Sequence, residues 1–505
     1  MSPKRLSAAV AACAVVFYLG ALWNRFALDD NPVVHFNTLV LSVSGVWRAF
    51  LSPYWPPELG GGMYRPLTLA TYALDWRVGW TAWFHAVNVL WHAGASVAVA
   101  LLARRWAGDR GALAAGLIFA VHPVHVEAVA NLVGRAELMA AAFGVLAVYA
   151  ALARDSVGWS AAALAAGLLS KENAAVVPAL IVWAWVVGLD RPSRRRMAAY
   201  AASWVALGAV YVAVRWMVLR HESTFVNGAP IFIGASPWAI RLTAVAAFVD
   251  VARLLVFPLT LRMDYSPAER TLVTTPLDGR FVLGLLCVAV WAALLGLAWR
   301  RGRKLEAFGL GWIGLALLPV ANLLYPAGVL VAERTLYLSS VGLALALGSA
   351  AAALAEVAPR RFAWVLGLVV VAGGIRTARR VPVWRDELTV VLSELEDSPR
   401  SYAGPAHMVV LYLNAHQPAK ALESFRRSIS IFDATLPWVY LTGAEAAITV
   451  GLPLTADSLL ARLERLCTRC EHYYRYEAAA ALVRGNTAAA DLFAARARKA
   501  EESSR

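Results

Sequence analysis

Four groups of polar residues interrupt sequence that is otherwise apolar, and each has a composition that could do chemistry. The first is Leu28-Asp29-Asp30-Asn31, with Asn37 following. Adjacent carboxylates at a membrane face are costly unless they act or bind a cation. Asp29 or Asp30 could accept a proton from an attacking hydroxyl; a solvated loop start is the alternative. The second group is Met63-Tyr64-Arg65-Pro66-Leu67-Thr68, then Asp75, then His85, Asn88 and His92. The last three share one helix face. Such a stripe turns into the bundle, where Asn88 and His92 could simply hydrogen-bond between helices. The third is His122-Pro123-Val124-His125-Val126-Glu127, continuing to Asn131, Arg135 and Glu137. Two histidines and a glutamate could hold a metal, or a phosphate with Arg135. The spacing is not HExxH, so the zinc-protease reading fails. The fourth pairs Ser170-Lys171-Glu172-Asn173 with Glu333-Arg334 ahead of Tyr337. Lys171 and Arg334 are the cations best placed to hold a lipid-linked phosphate; ion pairs closing a helix end are the alternative.

The elements that must position these groups are membrane helices. Of 505 residues, 60% are apolar and 16% charged, and mean hydropathy is +0.58. Soluble domains carry nearer a quarter charged residues. An ordinary soluble enzyme, a disordered chain and a disulfide scaffold are excluded. A hydrocarbon core needs about 20 apolar residues of helix. Spans are expected near 6–24, 84–103, 111–122, 137–153, 159–170, 174–189, 197–219, 280–299, 305–325, 336–355 and 362–378. The first lacks a cleavage site and reads as an uncleaved helix.

Basic residues collect at alternate span ends: Lys4/Arg5, Arg104/Arg105/Arg110, Arg154, Arg191 with Arg194–Arg196, Arg300/Arg301/Arg303/Lys304 and Arg360/Arg361. The positive-inside rule places all of them in the cytoplasm. They account for the net charge of +14 without nucleic acid as a partner. Loop 25–83 is neutral, with Arg25, Arg48, Arg65 and Arg77 against Asp29, Asp30, Glu58 and Asp75. Segment 236–260 is apolar but carries Arg241, Asp250 and Arg253. If it crossed, 300–304 would face outward, so it is expected to be re-entrant or interfacial. The result is about eleven spans, a cytoplasmic N-terminus and an exported C-terminus; Arg376, Arg379 and Arg380 weigh against that exit. Cys13 and Cys287 lie in apolar runs, and Cys467 and Cys470 form a lone CxxC without a second ligand pair.

Residues 1–384 therefore form a transmembrane domain and 385–505 an exported tail. The tail carries small and aromatic residues at a period of about 34, the length of a tetratricopeptide unit: Tyr412, Ala421, Phe425 and Ser428, then Gly443 and Ala446, then Ala478, Ala481, Ala490 and Ala497. A generic helical bundle is the alternative.

In order, LDDNPVVHFN, YRPLT, FHxxN, HPVHVEAVANLVGRAELMA, SKENA and ERTLYLSS run along the chain. With these the sequence resembles the transmembrane and tetratricopeptide-repeat-containing O-mannosyltransferase family, within the GT-C fold. MDYS at 263–266 resembles a further family feature. The resemblance implies an all-α, GT-C-like transmembrane helical bundle with a short repeat domain. It implies a polyprenyl-phosphate-linked sugar donor, mannose in eukaryotic members, and transfer to a Ser or Thr hydroxyl of an exported protein. It places a carboxylate of the first outer loop, Asp29 or Asp30, at the reacting centre. Donor contacts are expected among Arg65, His122, His125, Glu127, Arg135, Lys171, Glu333, Arg334 and Tyr337. A divalent metal, Mg or Mn, is left open, with Asp29, Asp30, His125 and Glu127 as candidate ligands. Thr335 and Ser339 stand where the family has Tyr and Pro. The rival readings are a lipid-linked-sugar flippase and a non-catalytic membrane-anchored scaffold. An Ala-rich, Lys-poor chain without an ER-retention tetrapeptide suggests a bacterial inner membrane.

Overall fold

The structure is a computed structural model describing residues 1–56, 62–220, 228–265, 267–434, 436–464 and 471–504. Among the described residues it is all helix and loop, with no strand. The bundle comprises α1 (Pro3–Tyr18), α2 (Pro66–Asp75), α3 (Thr81–Ala120), α4 (Arg135–Arg154), α5 (Val157–Ser170), α6 (Val177–Val186), α7 (Arg194–Leu219), α8 (Pro237–Ala246), α9 (Phe248–Val256), α10 (Gly279–Arg300), α11 (Lys304–Leu317), α12 (Tyr337–Val357) and α13 (Pro359–Arg380). Among the described residues, seven helical segments are long and apolar enough to cross a membrane.

Local sequence explains the boundaries. Ser2 caps α1, accepting from Arg5 N at 3.3 Å, and Pro3 opens the helix. α3 is broken at Gly108, whose φ of 62° is left-handed. The break separates the expected spans 84–103 and 111–122. The expected span 305–325 is shorter in the structure, because α11 stops at Leu317, just before Pro319. Asn322 then closes the following loop, its side chain accepting from Ala327 N at 2.7 Å. Segment 236–260 is not one span: α8 and α9 have 10 and 9 residues and meet at Ala247. Neither reaches the length a crossing requires. Asp250 on α9 is held by Arg270 at 2.7 Å.

α12 runs through the middle of the bundle, against α3 on one side and α11 on the other. Glycines permit both contacts. A Cβ on Gly348 would stand 2.8 Å from Gly111 O, and one on Gly342 would stand 2.3 Å from Gly309 O. Close backbone approach at small residues is how helices associate where lipid removes the hydrophobic drive. At the periphery, α7 and α10 are mostly exposed, with Val205, Val210, Leu286 and Val290 facing outward. Such faces suit lipid contact.

The tail begins with α14 (Glu387–Asp397). Three helix pairs follow: α15 (Ala403–Asn414) with α16 (Pro418–Ile431), α17 (Pro437–Thr449) with α18 (Pro453–Ala461), and α19 (Glu471–Val483) with α20 (Thr487–Ser504). The pairs start 34 residues apart, at 403, 437 and 471. Gly443 admits the Phe425 ring, whose nearest atom would lie 2.5 Å from a Cβ there. The tail is tied to the bundle at its beginning. Asn31 Nδ2 donates to Glu387 at 3.0 Å, Ser398 Oγ to Asp264 O at 2.7 Å, and Arg400 N to Glu269 at 2.9 Å. Cys13 and Cys287 are free and half-buried; Cys467 and Cys470, like Ser266 of MDYS, lie outside the described residues.

Candidate functional site

The site grows from the stretch between α3 and α4. Every residue from 121 to 132 is buried, so the HPVHVEAV motif is core rather than surface loop. His122 caps the turn, Nδ1 accepting from Val124 N at 3.3 Å, and its Nε2 donates to Leu255 O at 2.9 Å. His125 donates from Nε2 to Ser340 Oγ at 2.7 Å. Its ring packs against both Phe119 and Tyr337, each 4.5 Å away by centroid. Burial, with His122 and His92 adding to it, pushes the His125 imidazole well below its ordinary value. It is therefore neutral and offers a phosphate no charge.

This stretch holds two outer groups in place. The first is the Asp pair. Leu28 sits at φ 47°, a left-handed conformation that Leu seldom adopts. The turn carries Asp30 inward to 1% exposure. Its Oδ1 accepts from Val133 N at 3.0 Å and its Oδ2 from Ala27 N at 3.3 Å. Burial raises its carboxyl from 3.8 to about 7, against the pull of those two donors. Asp29 remains half-buried, and its carboxylate makes no hydrogen bond among the described residues. The second group is Arg334. Glu127, 2% exposed, accepts from Arg334 N at 2.8 Å and from its Nη1. The Nε and Nη2 edge of the guanidinium has no partner among the described residues, and the side chain is 30% exposed. Asp29 and Glu137 lie near enough for their charges to act on Arg334.

A raised carboxylate makes stability depend on pH. Asp30 binds a proton more tightly folded than unfolded, so its contribution is fully present below about pH 4 and lost as pH climbs through about 7. Wild type is expected to lose thermal stability across that window, and Asp30→Asn to show a flatter profile. Parallel melting curves in detergent for the two proteins would refute the assignment.

Other expected donor contacts are placed differently. Arg135 is fully buried and its donors are taken. Nε donates to Asn88 at 2.7 Å, Nη1 to Thr71 at 3.2 Å and to Asp75, and Nη2 to Phe84 O at 2.9 Å. It cannot reach a phosphate without leaving Asp75 uncompensated. Tyr337 is also enclosed, its hydroxyl donating to His92 Nδ1 at 2.8 Å. Asn88 and His92 thus act between helices, with His92 Nε2 on Ala120 O at 3.0 Å. Glu333 points away from Arg334, accepting from Tyr265 OH at 2.8 Å and Arg262 N at 2.6 Å. Lys171 is paired with Glu137, whose other oxygen accepts from Asn173 at 2.8 Å. Burial lowers the Lys171 ammonium, and Glu137 opposes that shift. Arg65 forks onto Glu172 at 3.0 and 2.6 Å and lies over the Tyr54 ring.

Among the described residues no three His, Cys, Asp or Glu side chains are placed to hold a metal. His125 faces Ser340 and Glu127 is closed by Arg334, so neither joins Asp29 and Asp30. Sequence reasoning also missed His407 of α15, which pairs with Glu394 at 2.8 Å and lies within the field of Asp29. No local signal distinguishes that histidine from any other on an amphipathic helix.

Fold and site together define a polytopic, all-α membrane protein with carboxylates and cations gathered beside the loops that join its spans. Known proteins narrow the class. The chain is 26% identical to Protein O-mannosyl-transferase TMTC3 of Mus musculus over 431 residues, covering 77% of this chain and 46% of that protein. It is 26% identical to Protein O-mannosyl-transferase TMTC4 of Homo sapiens over 464 residues, 77% of this chain and 61% of that one. Protein O-mannosyl-transferase Tmtc2 of Drosophila melanogaster is 32% identical over 324 residues, 58% of this chain and 33% of that protein. The chain spans about half the length of the curated relatives it matches. No family model and no solved structure matches it.

Proposed function

We propose that this chain is a GT-C-type membrane glycosyltransferase that moves mannose or a similar sugar from a polyprenyl-phosphate donor to a Ser or Thr hydroxyl of an exported protein. Relatives printed as protein O-mannosyl-transferases support the reaction class. One observation carries the mechanism. The Asp29 carboxylate and the Nε/Nη2 edge of Arg334 are both unengaged, and one buried stretch fixes them through Val133–Asp30 and Glu127–Arg334.

Asp29 accepts the proton of the acceptor hydroxyl, whose oxygen attacks the anomeric carbon. The bond from that carbon to the phosphate oxygen breaks, and the lipid phosphate departs with the electron pair. The free edge of Arg334 meets two phosphate oxygens and steadies the growing charge. Asp30 positions Asp29, Glu127 positions Arg334, and Arg135 fixes the start of α4. The alternation of the basic clusters supports a reading in which this face lies in the exported leaflet, with the tetratricopeptide-like tail on the same side.

The test is radiolabelled transfer from polyprenyl-phosphate mannose to a Ser/Thr peptide by the purified chain, with donor binding measured beside it. Arg334→Gln is expected to weaken donor binding by roughly 10- to 100-fold, the loss of a charge-assisted pair. Unchanged affinity would reduce Arg334 to the counter-ion of Glu127. A wild-type protein that neither binds donor nor transfers sugar overturns the function.

A further inference from the structure

Loop 25–83 is neutral by composition, but folding divides its charges. Asp30 and Asp75 are buried and Asp29 is half-buried. Arg48 and Arg77 are exposed, and neither side chain has a hydrogen-bond or ion-pair partner among the described residues. Residues 39–51 are apolar on both faces. Toward the bundle, Val40, Gly45 and Ala49 are buried, and a Cβ on Gly45 would stand 3.4 Å from that of Ala73 on α2. Away from it, Leu41, Val43, Trp47 and Leu51 are exposed, Trp47 by 76% and Leu51 by 78%. Ser42 and Ser44 hydrogen-bond to each other at 2.8 Å, which leaves Arg48 as the charged residue of the run. An element with no polar face is unsuited to water, and a patch of such residues marks a contact. The spans on either side set the level of that contact. The first ends on Trp23, and Trp80 precedes α3; both indoles are exposed. Tryptophan at span ends sits among lipid headgroups.

We propose that residues 39–51 lie in the bilayer surface as an interfacial element, with Leu41, Val43, Trp47 and Leu51 seated below the headgroups and Arg48 and Arg77 taking anionic phospholipid. Arg48 follows Trp47 directly, and Arg77 lies three residues before Trp80, so each cation stands next to an interfacial indole. Apolar residues immersed at the acyl boundary beside arginines at phosphate level are the mark of a segment that lies on a membrane. The bilayer is favoured over a second copy of the chain for two reasons. The patch continues a surface that the Trp23 and Trp80 span ends already assign to lipid. A two-fold contact of this face with itself would also crowd four arginines together. The same loop carries Asp29, so on the function proposed above the base is held near the depth of lipid phosphates.

The experiment is spin-label accessibility in the full chain, with its four cysteines changed to Ser and labels introduced singly by Trp47→Cys and Leu51→Cys. The protein is reconstituted in nanodiscs of phosphatidylcholine and phosphatidylglycerol. Leu286→Cys on the outward face of α10 is the lipid reference, and Glu423→Cys on exposed α16 is the water reference. Labels at 47 and 51 are expected to meet oxygen more often than an aqueous nickel chelate, as at 286 and opposite to 423. Water-like collision at both positions overturns the seat in the bilayer. Spin–spin broadening that vanishes on dilution with unlabelled protein assigns the face to a second copy and overturns the lipid. The anionic preference is read by native mass spectrometry with the two lipids in competition. Arg48→Gln with Arg77→Gln is expected to lower the preference for phosphatidylglycerol by about 25-fold, fivefold for each arginine. An unchanged preference overturns the role of the arginines. A melting temperature equal to wild type excludes misfolding, and the label at 51 carries the test where Trp47→Cys fails to fold. None of these readouts depends on sugar transfer, so their failure leaves the proposed reaction standing.

Discussion

Asp29→Asn is expected to slow sugar transfer by roughly 10²- to 10⁴-fold while donor affinity stays within about twofold, because the change removes only proton acceptance by a positioned base. Asn is isosteric with Asp, and the Asp29 side chain holds no hydrogen bond whose loss would disturb the loop. Asp30→Asn should act differently. Both Asp30 oxygens accept backbone N–H groups, and an amide has a single acceptor oxygen, so either Val133 N or Ala27 N loses its partner. Its rate loss should be smaller and accompanied by the altered stability profile. Single-turnover transfer with purified protein separates the two. Wild-type rates for Asp29→Asn, with transfer abolished only in Asp30→Asn, would exchange the roles of base and positioning residue. Wild-type rates in both would remove the carboxylate mechanism.

Arg135→Met should be the most destabilising single substitution in the bundle, at about 3–5 kcal/mol, the cost of breaking a buried ion pair from one side. It strands Asp75, at 5% exposure, and unpairs Asn88 Oδ1 and Phe84 O. Asn88 Nδ2 in turn reaches the carbonyls of Val129, Asn131 and Leu132, so the loss spreads into the stretch that fixes both halves of the site. Unfolding in graded denaturing detergent measures the effect. Arg135→Met/Asp75→Leu should regain a large part of it, since no unpaired charge then remains. Stability unchanged in Arg135→Met would show that Asp75 finds another partner, and would return Arg135 to the pool of donor-binding cations.

Sequence pattern made the spans legible because hydropathy follows from lipid contact, a local property of residue type. It resolved the Gly108 break as two expected spans, and segment 236–260 is two short helices joined at Ala247. The 34-residue spacing located three helix pairs in the tail. Counter-ions were not legible. Arg135 and Arg334 look equivalent as isolated cations, but one lies against Asp75, 60 residues away, and the other against Glu127, 207 residues away. Which of the two keeps an open edge depends on packing that no window of sequence contains. His125 and Tyr337 show the same limit: ionisable types in a dense motif suggest ligands, and the structure places both in interior hydrogen bonds.

The glycine contacts of α12 bear on how the protein can move. A helix locked backbone to backbone on two flanks behaves as a keystone, and Arg334 sits in the turn that leads directly into it. On the proposed function, the donor phosphate is therefore held at the head of a helix packed backbone to backbone on two sides. On the same reading, movement that admits a polypeptide acceptor would come where the first loop meets the tail, the side chain of Asn31 on Glu387.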